Sequence, residues 1–447
     1  MDRVGACEPS TVTKASVSRT SNHRWQMNWK RSAFLLVMTW VCLATTQVCA
    51  QRFVRRIKVK VTAPTQMDWM YPVFRTSPKE VPGGTLTGYD STDQRYDYYG
   101  PVAASPGPHS LIVFIPFTNS PMGWDLVGPT CVAEGMIYVE PHRAGNRVPL
   151  SERVRITLDC MDEVRRRYDI DPDHTYIAGY SGGGSTAALI AMAIPEYFGG
   201  LLVANARVAT PTLPWRIDRV RGRLSIACVC GEREAIGFEL PKVQMPIFKA
   251  MGIRMHAHAI PQRGHGAPPP NFFHEALLWL EEDARNRSRF AETRTAIRAE
   301  GWPTRTEWAA AAVEESRQLL EDEETIHVGL GLLTEISKRW IDTKEAAEAR
   351  KILDDYAAKE DRPWEETAKT ERLALTRVLA ETYDQASQSK VRVTKIRRAA
   401  YARGALDNYQ VLIRESGDDE LVEQANSRIL LMQKLVDNAQ AAMRKSP

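Results

Sequence analysis

Hydrophobic residues along the chain fall into two regimes, with the change near residue 288. Before it, short apolar runs alternate with segments of helical period. Residues 53–63 alternate apolar and basic positions, the pattern of an edge strand, and another strand is expected near Arg95 to Gly100. Leu111-Ile-Val-Phe-Ile115 and Met136-Ile-Tyr-Val-Glu140 are apolar without alternation, which predicts central strands covered on both faces. Further strands are expected before Gly179, over Gly200–Asn205, over Leu224–Cys230 and over residues 253–260. Between them lie helical segments at Trp124–Glu134, Leu240–Met251 and Phe272–Asp283. Another, over residues 151–168, gathers Val154, Leu158, Met161, Val164 and Tyr168 on one face. Strands alternating with helices predict an α/β domain over 51–288, a mostly parallel sheet wound with helices on both faces.

From 289 to 447 no strand pattern survives, and an Ala-, Glu-, Arg- and Leu-rich sequence of helical period predicts an all-α region. Asp342-Thr-Lys-Glu345 reads as a capping box and Asp361-Arg-Pro363 as another helix start. Ile336, Trp340, Thr343, Ala346, Ala349 and Leu353 fall in register with Leu412, Ser416, Asp419, Val422, Ala425 and Ile429. That spacing is compatible with degenerate helix-hairpin repeats or with an ordinary bundle.

The first 50 residues change the reading of charge. Lys30-Arg31, the apolar run from Ser32 and a small-residue ending at Ala50 read as a signal peptide, with Met27 an alternative start. Export to the periplasm or medium follows; an uncleaved anchor through 32–50 is the alternative. Residues 1–50 hold six of the 59 basic and two of the 55 acidic residues, so the remainder is balanced and its charge gives no argument for nucleic acid. Of seven cysteines, Cys131, Cys160, Cys228 and Cys230 lie beyond residue 50. An oxidising compartment permits a Cys131–Cys160 bridge among three possible pairings. Cys228 and Cys230, two apart on a strand, read as buried thiols rather than a metal pair.

The candidate chemistry centres on Gly179-Tyr-Ser-Gly-Gly183, which follows a strand and opens a small-residue helix. In that context G-x-S-x-G places a serine on a tight strand-to-helix turn with its hydroxyl exposed. Ser181 then needs a general base and an orienting acid, later in the chain in the order acid then histidine. His265 follows the last strand and is the candidate base. Glu234, just past a buried strand, is the first candidate acid, with Asp218 the alternative and Glu232 third. His256 and His258 read as packing or surface residues of a strand, lacking a third ligand for a metal. Oxyanion donors would be the N–H of Gly182 and that of Phe117 or Thr118, with the Asn119 side chain a further candidate.

From about Tyr96 to Asp283 the chain resembles the α/β-hydrolase superfamily, and more narrowly exported esterases of the polyhydroxybutyrate depolymerase and feruloyl esterase type. The resemblance rests on residues 168–184, Gly231-Glu-Arg-Glu234 and Gly264-His265. It implies nucleophile Ser181, base His265, an acid at Glu234 where the family more often has Asp, and no metal or organic cofactor. Pro116-Phe117 stands where the family commonly places His-Gly. The expected activity is hydrolysis of carboxylic esters, of acyl groups on polysaccharides or of short polyesters. A serine peptidase, and a scaffold without turnover that binds a protein partner through residues 290–447, are the alternatives.

Overall fold

The computed structural model describes residues 52–444 apart from residue 68, 76–85, 103–107, 212, 288–304 and 390–392, so the leader lies outside the described residues. From Arg52 onward they form one compact unit. Its strands are β1 (Phe53–Lys60), β2 (Arg95–Pro101), β3 (His109–Ile115), β4 (Ile137–Pro141), β5 (Ile170–Tyr180), β6 (Gly200–Ala204), β7 (Ser225–Gly231) and β8 (Arg254–Ile260). They build one eight-stranded sheet in the order β1-β2-β4-β3-β5-β6-β7-β8. β2 runs antiparallel to both neighbours and every pairing from β4 to β8 is parallel.

The unbroken apolar runs are explained by cover on both faces. Leu111, Val113 and Ile115 of β3 pack into one cluster with Val154, Leu158, Met161 and Ile190, while Ile112 and Phe114 pack into the opposite one with Val127, Phe273 and Leu280. The helices behind these residues are α1 (Met70–Phe74), α2 (Trp124–Glu134), α3 (Leu150–Arg165), α4 (Gly182–Ala193), α5 (Pro214–Arg223), α6 (Ala235–Glu239), α7 (Met245–Ala250) and α8 (Pro270–Asp283).

Several local expectations are corrected. The helix expected over Leu240–Met251 starts five residues earlier: α6, a π-turn at Leu240–Gln244 and α7 follow one another without a gap from Ala235 to Ala250, with Pro241 and Pro246, which cannot donate backbone hydrogen bonds, in the widened turn and at the start of α7. α3 ends at Arg165, and Tyr168 lies beyond it, its hydroxyl donating to the Pro101 carbonyl at 2.9 Å. Cys131 and Cys160 belong to core clusters on opposite faces of the sheet, so they cannot bridge, and all four cysteines are buried free thiols.

The C-terminal region consists of α9 (Arg305–Leu319), α10 (Ile326–Arg339), α11 (Lys344–Ala357), α12 (Pro363–Gln388), α13 (Lys395–Glu415) and α14 (Asp419–Arg444). Leu333, Ile336 and Trp340 centre one small core, Ala402, Leu412 and Met432 another. The cap of α11 is Thr343, one residue later than expected, its hydroxyl accepting from the Ala346 amide at 3.2 Å. Pro363 opens α12 as the sequence suggests. The two stretches in register each run from one helix through a short turn into the next, α10 to α11 and α13 to α14.

These helices dock on the α/β body through buried charge. Arg339 of α10 pairs with Glu196 at 2.9 Å, both almost wholly buried, and Arg219 stands 3.8 Å from the same carboxylate. Burial pushes Glu196 up, but the two guanidiniums outweigh it and hold the carboxyl at about 2.

Candidate active site

Ser181 stands where β5 turns into α4, at φ 53° and ψ −123°, a conformation that a non-glycine residue adopts only when the surroundings enforce it. The Ser181 amide donates to the Ala204 carbonyl at 2.8 Å, pinning the turn to the end of β6. Close approach explains the flanking glycines: a Cβ on Gly179 would lie 2.5 Å from the Gly183 carbonyl carbon, and one on Gly183 would lie 2.0 Å from the Ile115 carbonyl oxygen. Arg153 of α3 braces the turn from beneath, donating to the carbonyls of Ala144 at 2.8 Å and Gly182 at 3.1 Å.

His265 lies in the loop between β8 and α8, and its Nε2 is 2.9 Å from Ser181 Oγ. Its Nδ1 is 3.3 Å from Glu234 Oε1, in the loop after β7. The imidazole is half exposed and the carboxylate largely buried, at 49% and 20% side-chain exposure, so the histidine is open to substrate while its acid partner is sheltered. The structure thus brings Ser181, His265 and Glu234 into one line. Glu232 instead accepts from the Gln262 amide at 3.0 Å. Asp218 sits on α5 beside Arg221 at 3.3 Å, in a cavity shared with His327 and Glu371 of the C-terminal helices, and burial raises its carboxyl. His256 stacks on Trp279 with ring centroids 5.2 Å apart, and His258 packs edge-on against Phe272 at 5.0 Å.

Two residues the sequence reading did not assign hold this arrangement. Buried Asn205 accepts from the Gly231 amide at 2.9 Å and donates to the Gly266 carbonyl at 2.9 Å, tying the acid loop to the histidine loop. Tyr180 donates its hydroxyl to the His265 carbonyl at 2.6 Å. The available signal for Asn205 was a lone amide at the C-terminal end of an apolar strand, where α/β sheets carry their sites.

Gly182 is the first residue of α4, and a helix leaves its first amides without internal partners. Phe117 and Thr118 follow β3; Phe117 packs edge-on against Tyr180 at 5.3 Å, and its carbonyl accepts from the Asn146 amide at 3.0 Å. The Thr118 hydroxyl donates to the Ser120 carbonyl at 2.7 Å. Asn119 turns its side-chain oxygen to the Gly145 amide at 3.2 Å, which leaves only its NH₂ for a ligand. Asn146 is an unforeseen neighbour: its side-chain oxygen lies 2.1 Å from where a Cβ on Gly182 would stand. The loop is held from below by Glu140, wholly buried, which accepts from the amides of Met122 at 2.7 Å and Gly123 at 2.9 Å and from the Tyr138 hydroxyl. Burial raises the Glu140 carboxyl to about 7, against the downward pull of those donors.

Chemically, a hydroxyl on a strained turn, an imidazole within hydrogen-bond reach and a carboxylate behind it can generate a nucleophile and return its proton to a leaving group. No protein-family model matches the chain, and neither does any curated protein. Among solved structures the chain is similar to S-formylglutathione hydrolase from Staphylococcus aureus, at 12% identity and TM-score 0.32 over 42% of this chain and 92% of that one. It is also similar to a ferulic acid esterase, at 14% identity and TM-score 0.35 over 53% and 98% of the two chains. A feruloyl esterase module from Clostridium thermocellum is similar at 10% identity and TM-score 0.31, over 53% and 88%. These likenesses are distant, and the fold is established by the strand order and the elbow. Eight strands in this order, with the second reversed and a serine on the turn after the fifth, give the chain the α/β-hydrolase fold.

Proposed function

We propose that the chain is an exported serine hydrolase that cleaves carboxylic esters through an acyl-enzyme. The observation that carries this reading is the 2.9 Å contact of Ser181 Oγ with His265 Nε2 at a residue whose φ is 53°. Ser181 Oγ attacks the ester carbonyl while His265 Nε2 takes its proton. Glu234, facing Nδ1, fixes the imidazole tautomer and stabilises the imidazolium. The tetrahedral oxyanion is held by the Gly182 amide and by the Phe117 or Thr118 amide. Its collapse breaks the bond to the leaving alcohol, which receives the proton from His265, and water repeats the sequence on the acyl-enzyme. Nothing in this sequence of steps calls for a metal or an organic cofactor. Export rests on the leader pattern of residues 1–50.

The test is hydrolysis of short-chain p-nitrophenyl esters by the chain and by Ser181→Ala. The reading expects turnover that falls by a factor on the order of 10⁴ or more in the variant. Equal background rates across several acyl lengths would sink it.

A further inference from the structure

The C-terminal helices close a cavity one helical turn from Ser181. On α4, Ser185 and Leu189 are four residues apart and share a face, and Ser185 follows the nucleophile by four residues in the chain. The Ser185 amide donates to the Ser181 carbonyl at 3.0 Å. Ser185 and Leu189 line a cavity of about 450 Å³, within the size range of small-molecule sites. One wall comes from the α/β body and is apolar at Val208 and Ile247, while the other is formed by Tyr383 of α12 and Tyr401 of α13. The two tyrosine rings lie nearly parallel, with centroids 6.3 Å apart and planes 15° from one another.

The carboxylate in the lining of this cavity is shared by two guanidiniums, of which Arg207 also lines the cavity. Glu239, almost wholly buried, accepts from the Tyr401 hydroxyl at 2.5 Å and pairs with Arg397 at 2.9 Å. Arg207 also clasps it with two nitrogens. Two guanidiniums against one carboxylate leave a positive charge in surplus. Arg207 lines the cavity and is 48% exposed, so that surplus is presented to whatever enters.

We propose that this cavity is a substrate subsite beside the nucleophile, and that it takes an ester arm with an apolar body and an anionic end, such as the acyl group of a dicarboxylic acid monoester. The helical region then acts as the wall that sets specificity. Arg207 recognises the anion and Tyr383 packs on the apolar body. This rests on Ser181 being the nucleophile of a serine hydrolase.

The test compares p-nitrophenyl butyrate with the p-nitrophenyl monoester of glutarate on the full chain. Arg207→Gln should lower kcat/KM for the glutarate ester about tenfold through KM, the size of one charge-assisted hydrogen bond, and change butyrate less than about twofold. Arg207→Lys, which keeps the charge and a partner for Glu239, should recover most of the discrimination. Tyr383→Ala should raise KM for both esters with kcat held. Equal effects of Arg207→Gln on the two esters, or an unchanged KM in Tyr383→Ala, would overturn the proposal while leaving the serine hydrolase intact. If the chain hydrolyses neither ester, the hydrolase reading has failed. Calorimetric binding of monoethyl glutarate to the chain and to Arg207→Gln then decides the cavity separately: weaker binding in the variant supports it, and equal or absent binding removes it.

Discussion

The elbow at Ser181 and the loop that faces it are held by opposite means. In the elbow, the backbone sets the geometry: two glycines let strand, turn and helix approach within distances that a Cβ would forbid, and the serine is left at φ 53°. In the loop from Pro116 to Gly123 there is no glycine run, and shape is imposed by side chains. Glu140 holds the amides of Met122 and Gly123 from beneath, and Asn119 latches to Gly145 from the side. A geometry fixed by the backbone is compressed into five consecutive residues, whereas one fixed by side chains depends on partners some twenty positions away. The first is rigid by exclusion and the second is adjustable by chemistry, including protonation.

The largest effect that sharpens this contrast concerns the elbow's outer partner. Glu234→Gln should leave the fold intact and lower kcat by a factor on the order of 10³ to 10⁴, because the amide no longer imposes the productive imidazole tautomer. Ester kinetics with a matched unfolding curve give the answer, and a loss below tenfold would mean that another acid serves His265. Next is Gly183→Ala, whose methyl would meet the Ile115 carbonyl at 2.0 Å. We expect destabilisation of about 1–3 kcal/mol in urea titration together with a large loss of activity, since the turn must open to admit the methyl. A stable, active Gly183→Ala would break the claim that backbone exclusion sets the elbow.

On the loop side the expected effects are smaller and depend on pH. Burial raises the folded-state Glu140 carboxyl to about 7 from an ordinary value of 4.5. Between those pH values the native state keeps a proton that the unfolded chain has lost. The contribution to stability is therefore full below about 4.5 and declines as pH rises to about 7, by up to about 3 kcal/mol. Glu140→Gln cannot ionise, so its stability measured against pH should be flatter than that of the unaltered chain over this window; parallel curves would remove Glu140 from the account. The smallest expected change is in Asn119→Ala, about 1 kcal/mol of stability from the lost bond to Gly145, with a few-fold fall in kcat/KM.

The same contrast explains what was legible in the sequence. Central strands were readable because covering on both faces removes alternation, and Leu111–Ile115 lies between two cores as its apolar run implied. Ser181, His265 and Glu234 could be proposed because strand ends fix where loops emerge, and the structure places all three together. Asn205 could not, since its task is to join two loops whose proximity exists only after β6, β7 and β8 pair. Glu140 fell inside the run Met136–Glu140 read as a central strand, with nothing local to say that its carboxylate would hold another loop. The Cys131–Cys160 pairing failed for a related reason, because linear spacing does not reveal which face of a sheet a helix covers. In the helical half, period showed the all-α character and caps two helix starts, one residue early at Asp342 and in place at Pro363, yet the buried Glu196–Arg339 pair that docks these helices joins residues 143 apart.

The central claim is that Ser181 is an activated nucleophile. A fluorophosphonate mimics the ester's tetrahedral state and bonds covalently only to a serine so activated. Incubation of the folded chain followed by peptide mass spectrometry should find one phosphonyl group, on the peptide carrying Ser181, with labelling slowed strongly in His265→Ala. A folded chain in which Ser181 stays unmodified, or in which His265→Ala labels at the same rate, would contradict the account.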